Sequence, residues 1–392
     1  MIKSDHGFFA VFLLAATLFF LPLSIVAVEI FSSLYVINFL ILRGWRDVSA
    51  NFLNVIVILI VFMHFVSSGV HGFDPDSIHS ALQSLWLLYI PITSAFFLKN
   101  AHVFVLQRWY VYGQIVNALV GIVEALGFHV INTYGQGHLG LVSFHIWSSM
   151  MLALAILFLI NDIPGYNIVK NRILSVTVLA LLVWQLLSTS GRTGQAVLIM
   201  VLFFIIVYKI KNKKVLGISI VGALSLAVLF PAFRSVWSAA YYQAVDVILN
   251  GSYLSSVGLR VVYAQASWLM FVEHPIFGVG VGQFRHVFYE MVHRHSIPYV
   301  PNDLRGVVGP TSTYLQYVSE LGGVGATLLL AFLVGIGMQI SNQWNRGGII
   351  RLIVFLWLII GSFSDVILSS WSLVIPFSIF VSLQVEAGLS NK

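Results

Sequence analysis

The chain has 392 residues, of which 59% are hydrophobic, 9% are charged and none is cysteine. This composition excludes an ordinary water-soluble domain, disulfides and thiolate metal sites, and it indicates a chain that crosses a lipid bilayer several times. The formal net charge of +6 comes from basic residues scattered singly between apolar stretches, so it predicts membrane orientation and anion handling rather than nucleic-acid binding.

About twelve apolar stretches have the length expected of membrane-spanning helices. They are Phe8–Leu21, Ile25–Leu42, Phe52–Val66, Leu82–Leu98, Val103–Leu126, Phe144–Ile160, Ile173–Leu187, Gly194–Tyr208, Val215–Phe230, Gly322–Ile340, Ile350–Ile360 and Val366–Val385. Some are short and closely joined, so the count is about ten to twelve. The pattern predicts an all-α polytopic membrane protein.

The predicted chain divides into three regions. Spans one to nine occupy residues 1–230, a large loop occupies 231–321, and spans ten to twelve occupy 322–392. The large loop mixes polar residues with tryptophan, tyrosine, glycine and proline. This mixture predicts an extramembrane subdomain of short amphipathic helices.

Lysine and arginine fall on different sides of the predicted membrane. With the N-terminus inside, every lysine is cytoplasmic, including the KIKNKK block at 209–214, as the positive-inside rule requires. Both termini are then cytoplasmic in a bacterial inner membrane, and the large loop is periplasmic. The outer basic residues are all arginines: Arg192, Arg234, Arg260, Arg285, Arg294 and Arg305. Guanidinium groups bind phosphate oxygens bidentately, so phosphate recognition is predicted, with solvent or lipid-headgroup contacts as the alternative.

Arg192 lies between two apolar stretches, in the segment TSGRTGQAVLI. Gly191 and Gly194 allow a tight turn into the next span, and a helix N-terminus beside a guanidinium group is an anion site. The alternative is an arginine that extends to the membrane surface. Arg260 lies on an amphipathic stretch of the large loop, where the alternative is a headgroup contact. Together the two arginines are predicted to hold two phosphates.

Three stretches carry a family resemblance: STSGRTGQAV at 188–197, HPIFGVGVGQF at 274–284 and TSTYLQYVSELGGVG at 311–325. In order and spacing they resemble the signatures of the O-antigen ligase and Wzy-type O-antigen polymerase superfamily, over residues 140–325. The resemblance implies a fold similar to the C-type glycosyltransferases, with an undecaprenyl-pyrophosphate-linked glycan as donor and with neither metal ion nor cofactor. It also implies that Arg192 and Arg260 are the essential arginine pair.

One position departs from the ligase pattern. Ligases have His-Asn before the Thr-Tyr-Leu stretch, whereas this chain has Thr311 and Ser312, and a threonine hydroxyl cannot act as a base near neutral pH. Glu320, in the same motif, is predicted either to accept the acceptor's proton or to orient an arginine or a helix start. Other ionisable candidates are His293, His295 and Asp303. The predicted substrate-binding residues are Gly191, Thr193, Gly194, Arg285, Arg305, Thr311 and Tyr314.

These features predict a metal-independent, inverting glycosyltransferase that acts at the periplasmic face. Its partners are the lipid-linked donor, a glycan or lipid A-core acceptor, a chain-length regulator and membrane lipids, without nucleic acid. Loop aromatic residues such as Trp237, Tyr241 and Tyr242 are predicted to contact sugars or to form an interfacial belt. The departure at Thr311 favours a polymerase over a ligase. A transporter or flippase of lipid-linked sugars is less favoured, because the outer arginines and the large loop all lie in the second half.

Overall fold

The computed structural model describes residues 4–42, 44–95, 97–98, 100–128, 145–162, 172–209, 230–297, 309–342, 344, 348–382 and 384–385. The described chain is almost entirely helical, as its composition predicts. The helices are α1 (Ser4–Phe20), α2 (Ile25–Ile41), α3 (Phe52–Val70), α4 (Pro75–Ser84), α5 (Tyr89–Ser94), α6 (Asn100–Ala125), α7 (His145–Asp162), α8 (Arg172–Ser188), α9 (Arg192–Lys209), α10 (Pro231–Asn250), α11 (Ser256–Glu273), α12 (Phe284–His293), α13 (Thr313–Asn342), α14 (Gly348–Ser362) and α15 (Trp371–Ser382). A two-residue strand β1 (Phe97–Leu98) pairs in parallel with β2 (Gln384–Val385).

Most of the predicted spans correspond to single helices. In the described ranges, Phe52–Val70 and Thr313–Asn342 are both long enough and apolar enough to cross a bilayer, and the other apolar helices are shorter. The ninth predicted span, Val215–Phe230, lies outside the described residues except for Phe230. The predicted large loop contains the helices α10, α11 and α12, and its placement outside the membrane stays a prediction.

The predicted span Leu82–Leu98 is wrong as a single helix. Its apolar residues begin in the last turn of α4, continue through a 3₁₀ turn at Leu85–Leu88 and the short α5, and end in β1 at Phe97–Leu98. The helix start lies at Asp74, whose side chain accepts the backbone N–H of Asp76 while Pro75 occupies the first helical position, a favourable pair of N-terminal residues. Hydropathy follows the composition of a stretch, and it does not distinguish α-helical from 3₁₀ hydrogen bonding.

Helix α7 forms the centre of the fold. Every residue from Met150 to Leu159 is buried, which is the pattern of a helix surrounded by other helices. Two neighbouring helices donate side-chain hydrogen bonds to its backbone. The Tyr110 hydroxyl of α6 donates to the Met151 carbonyl at 3.0 Å, and the Trp357 indole of α14 donates to the Met150 carbonyl at 2.9 Å. These bonds fix α7 against both neighbours.

Helix α13 has one apolar face inside the fold and another outside it. Phe332 and Ile336 are fully buried, whereas Leu330, Val334 and Met338, spaced four residues apart, are about half exposed. An aqueous surface rarely carries such a continuous apolar stripe. The same stripe suits a helix whose outer face contacts lipid tails.

Helices α7 and α9 are in close contact at two glycines, Gly191 and Gly194. A Cβ atom on Gly194 would lie 2.1 Å from the Ser149 carbonyl oxygen, and one on Gly191 would lie 2.5 Å from the His145 carbonyl oxygen. The Gly194 N–H also donates to the Ser149 hydroxyl at 3.2 Å. The absence of a side chain at these two positions therefore sets the distance between the two helices.

We expect Gly194→Ala to lower the melting temperature of the detergent-solubilised protein. The added methyl group would overlap the α7 backbone, and overpacking of this kind costs about 1–3 kcal/mol. The matched control is Gly337→Ala in α13, where a Cβ atom meets nothing within 4 Å. Differential scanning fluorimetry of the two variants checks the prediction. Equal melting temperatures would show that the helices are not held by this contact.

Candidate active site

A cavity of about 670 Å³ lies where α7, α9, α10, α11 and the turn after α14 meet. Both predicted arginines, Arg192 and Arg260, line it. The cavity therefore brings together residues that are separated by 68 positions in the chain. Its lining residues are His145, Ile146, Ser190, Arg192, Thr193, Ala196, Trp237, Ala240, Ser256, Val257, Leu259, Arg260, Tyr263, Gly309, Pro310, Thr311, Ser364 and Asp365.

Arg192 is the first residue of α9. Its guanidinium group makes a long hydrogen bond of 3.4 Å to the Gln243 side chain of α10. The helix begins two residues before the predicted start at Gly194, and the N–H of Gly194 is already bonded to Ser149. The Arg192 N–H donates to the Ser190 carbonyl at 3.0 Å, so the anion-binding capacity of this helix start lies in the guanidinium group and the remaining first-turn N–H groups.

Arg260 lies in the second turn of α11 and reaches across the cavity to the turn that follows α14. Its Nη1 atom donates to the Ser364 carbonyl oxygen. The hydroxyl of Ser364 in turn donates to the Thr193 hydroxyl at 3.0 Å. The turn thus connects Arg260 to the helix that carries Arg192.

Asp365 in the same turn is the acidic group of the cavity wall. Burial raises the pKa of its carboxyl group, while the Val366 N–H and the charge of Arg260 act in the opposite direction. Burial also lowers the pKa of Arg260, and the attraction of Asp365 partly offsets this. Because an arginine stays protonated in proteins, Arg260 remains a cation. Asp365 balances part of its charge without forming a salt bridge among the described residues.

The first motif also builds a wall of the cavity. Gln195 lies one turn into α9, and its amide donates to the carbonyls of Leu186 at 3.0 Å and Thr189 at 3.2 Å. These bonds satisfy carbonyl groups at the end of α8 that have no partner within the helix. The Gln195 carbonyl oxygen accepts the Trp237 indole N–H at 2.9 Å. The Gln195 side chain therefore caps the C-terminal end of α8 and holds the Trp237 ring in the cavity wall.

The start of the third motif, TST at 311–313, is hydrogen-bonded to the turn after α14. The Ser312 hydroxyl donates to the Ser362 carbonyl at 2.8 Å, and both the N–H and the hydroxyl of Thr313 donate to the Asp365 carbonyl at 3.1 Å. Thr311, one residue earlier, lines the cavity. Two of the three hydroxyl residues in the TST sequence therefore position Asp365, and the third faces the cavity.

The second motif, HPIFGVGVGQF at 274–284, bonds to the backbone of α13 at a break in that helix. Gly322 has φ 62° and ψ −148°, which interrupts the helix, and the freed backbone groups bond to the loop after α11. The N–H groups of Gly323 and Val324 donate to the carbonyls of Pro275 and Ile276, at 2.8 and 3.1 Å. Buried backbone groups at a helix break require partners of this kind.

Glu320 lies beside this break and does not line the cavity. Its carboxylate accepts the backbone N–H groups of Gly282 and Phe284 and the Gln316 amide at 3.3 Å. The side chain is 3% exposed, which leaves no room for an acceptor beside it. These contacts favour the orienting alternative, in which the carboxylate holds the loop, and its proton-transfer role stays a prediction.

The other predicted substrate-binding residues lie in different surroundings. Thr193 and Thr311 line the cavity, whereas Gly191 and Gly194 face the backbone of α7. The Tyr314 hydroxyl donates to the Ile359 carbonyl at 3.0 Å. Arg285 is exposed on α12, and Arg305 lies outside the described residues. Substrate contact by all seven of these residues stays a prediction. Among the proton-transfer candidates, His293 and His295 are exposed, and Asp303 also lies outside the described residues.

The histidine and the acidic residue of the cavity, His145 and Asp365, were missed by the sequence analysis. Each had a signal that could have identified it. Asp365 is a lone acid between the last two apolar stretches, and His145 is a lone histidine at the start of another. An ionisable group at the edge of an apolar span is costly unless it has a partner or a function.

We expect Glu320→Gln to destabilise the protein. The amide of the introduced glutamine has one oxygen acceptor, whereas the carboxylate has two. Its N–H groups would meet backbone N–H donors that the carboxylate now accepts. An unsatisfied buried donor costs about 1–3 kcal/mol. Melting temperature and limited proteolysis of the 274–284 loop measure the effect. Glu290→Gln is the control, because that carboxylate makes only exposed ion pairs. An inactive Glu320→Gln protein with unchanged stability would instead support a catalytic role.

Comparison with known protein families agrees with the sequence motifs. Residues 176–330 match the family model described as O-antigen ligase. No curated protein matches the chain. The matched region includes Arg192, Arg260, Thr311 and Glu320, while His145 and Asp365 lie on either side of it. The match at residues 176–330 therefore supports the O-antigen ligase and Wzy-type polymerase superfamily of membrane glycan transferases.

Proposed function

We propose that this protein moves a glycan en bloc from undecaprenyl pyrophosphate to an acceptor hydroxyl, at the periplasmic face of a bacterial inner membrane. The observation that carries the proposal is the pairing of Arg192 and Arg260 in one cavity. They repel each other, and neither forms a salt bridge within the described chain. A pyrophosphate group has the charge and the oxygen geometry to bind both guanidinium groups.

The chemistry follows from the leaving group. The anomeric carbon of the donor already carries a pyrophosphate ester, so the protein must stabilise the negative charge that grows on the departing oxygen. Two guanidinium groups in a partly buried cavity supply this stabilisation, each contributing a few kcal/mol at the transition state. They take the role that a metal ion has in other glycosyltransferases. Attack by the acceptor on the face opposite the pyrophosphate inverts the anomeric centre.

The cavity wall has surfaces for the rest of the donor. Trp237 presents an aromatic ring that is fixed by its bond to Gln195, and an aromatic ring is a suitable surface for a sugar. Tyr241 and Tyr242, on the same helix, are 65% and 69% exposed. They suit the interface between lipid headgroups and water.

A repeat-unit polymerase is the form of this activity that we favour, and ligation of O-antigen to lipid A-core is the alternative. Thr311, at the position of the ligase histidine, lines the cavity, and its hydroxyl cannot act as a base near neutral pH. The matched family description, O-antigen ligase, supports the alternative. A carrier of lipid-linked sugars is less favoured, since transporters usually place their charges between two repeated halves.

The polymerase proposal predicts the glycans of a deletion strain. Loss of a polymerase leaves lipid A-core that bears single repeat units, whereas loss of a ligase leaves bare core and accumulating lipid-linked chains. Restoring the gene should restore long chains. Arg192→Ala and Arg260→Ala should each fail to do so while inserting normally. Lysine at either position should rescue poorly, because an ammonium group cannot form the bidentate contact.

Arg234→Ala is the control for this experiment. Arg234 is an exposed residue of α10 outside the cavity, and its loss should leave the glycan ladder unchanged. Silver-stained lipopolysaccharide gels and immunoblots of membrane fractions provide the two measurements. Long chains in either alanine variant would contradict a role for that arginine in binding pyrophosphate.

The proposed orientation predicts the labelling of single introduced cysteines. The chain has no native cysteine, so a membrane-impermeant maleimide reports only the introduced residue. In intact spheroplasts, Tyr253→Cys should be labelled, while Lys211→Cys and Lys392→Cys should react only after the membrane is permeabilised. Labelling of Lys211→Cys from outside would reverse the orientation and move the cavity to the cytoplasmic face.

A further inference from the structure

His145 is the imidazole of the cavity that contains the two arginines. We propose that His145 is the catalytic base, which accepts the proton of the acceptor hydroxyl during transfer. The inference rests on the proposed glycan transfer and adds to it the group that activates the nucleophile. Histidine suits this task because its charge changes between about pH 5 and 8.

The first turn of α7 fixes the position of His145 relative to both arginines. Gly191, beside Arg192, packs against the His145 backbone, and Gly194 is bonded to Ser149 one turn later. On the other side, the Trp147 side chain hydrogen-bonds to Asp365. The helix that carries His145 is thus bonded both to the helix of Arg192 and to the turn that receives Arg260. A catalytic base must be held in this way to meet its substrate in one geometry.

Among the described residues, the charged and titratable groups that line the same cavity as His145 are Arg192 from α9, Arg260 and Tyr263 from α11, and Asp365 from the turn after α14. The role requires a neutral imidazole before the reaction. The neutral form is the one that accepts a proton. Once the proton has moved, Asp365 and the departing pyrophosphate supply negative charge near the imidazolium.

The other cavity groups are poorer bases. Burial raises the pKa of Tyr263, so its hydroxyl stays protonated at neutral pH. Arginine side chains do not lose their protons, and threonine hydroxyls do not act as bases near neutral pH. Asp365 accepts the Val366 N–H at 2.7 Å and is attracted to Arg260. These contacts assign Asp365 to positioning Arg260 and leave His145 for the proton.

The proposed step is balanced in atoms and electrons. The acceptor oxygen forms a bond to the anomeric carbon while its proton passes to the imidazole nitrogen of His145. The bond from the anomeric carbon to the pyrophosphate oxygen breaks, and its electron pair leaves with the pyrophosphate, beside Arg192 and Arg260. The imidazolium then releases its proton to water before the next transfer.

The test uses the full-length protein in detergent and lipid-linked glycans extracted from a strain that lacks it. The parent rate should rise with pH through the histidine range and then level off. His145→Gln should lower kcat by at least about 100-fold, the usual contribution of a general base, and should lose this rise. Its KM for the extracted glycan should stay within about twofold, because both arginines are intact. Added imidazole should partly restore His145→Ala, which a purely structural role would not allow.

Two further variants sharpen the result. His286→Gln on the exposed face of α12 should behave as the parent. Asp365→Asn should raise KM while keeping the pH-dependent rise. A His145→Gln protein with the parent's kcat and pH profile would overturn the proposal, as would an Asp365→Asn protein that alone loses the rise. If the parent itself transfers no glycan, the proposed function fails first, so the two failures are distinguishable.

Discussion

The candidate site depends on holding two like charges in one cavity. Arg192 and Arg260 repel each other, and their bonds among the described residues are to the neutral oxygens of Gln243 and Ser364. Among the residues that the structure describes, Asp365 offsets part of the charge of Arg260, from beyond salt-bridge distance. Such a pair is unfavourable in the empty protein and favourable once an anion binds. Its position must therefore be fixed by packing elsewhere, which is the meaning of a preorganised site.

That packing comes from backbones that approach closely. Helices α7 and α9 meet at Gly191 and Gly194, and α13 is opened at Gly322 so that the loop after α11 can bond to its backbone. The loop is fixed a second time by the Glu320 carboxylate. The second motif therefore stabilises the end of α11, the helix that carries Arg260, without contacting the cavity itself.

The three motifs have different physical tasks. The first motif supplies Arg192. Its Gln195 side chain also caps the C-terminal end of α8 and holds Trp237 in place. The second and the start of the third anchor the loop and the turn after α14. Changes in the second motif should therefore act through stability, whereas changes at Arg192 act on binding and rate. The first helices of the chain do not line the cavity, and they extend the apolar body that supports α7.

The sequence by itself determined the helical class, most helix positions and the pair of arginines, because apolar periodicity, composition and the cost of charge in an apolar span are local properties. It did not determine that Leu82–Leu98 contains a 3₁₀ turn and ends in a short strand, since hydropathy carries no information about the hydrogen-bond pattern. Only the tertiary structure placed His145 and Asp365 beside Arg192 and Arg260, and placed Glu320 against the 282–284 backbone instead. Those positions are decided by how closely helices pack across glycines and by which buried backbone groups need partners. Such distances are set between segments far apart in the chain, and no local pattern records them.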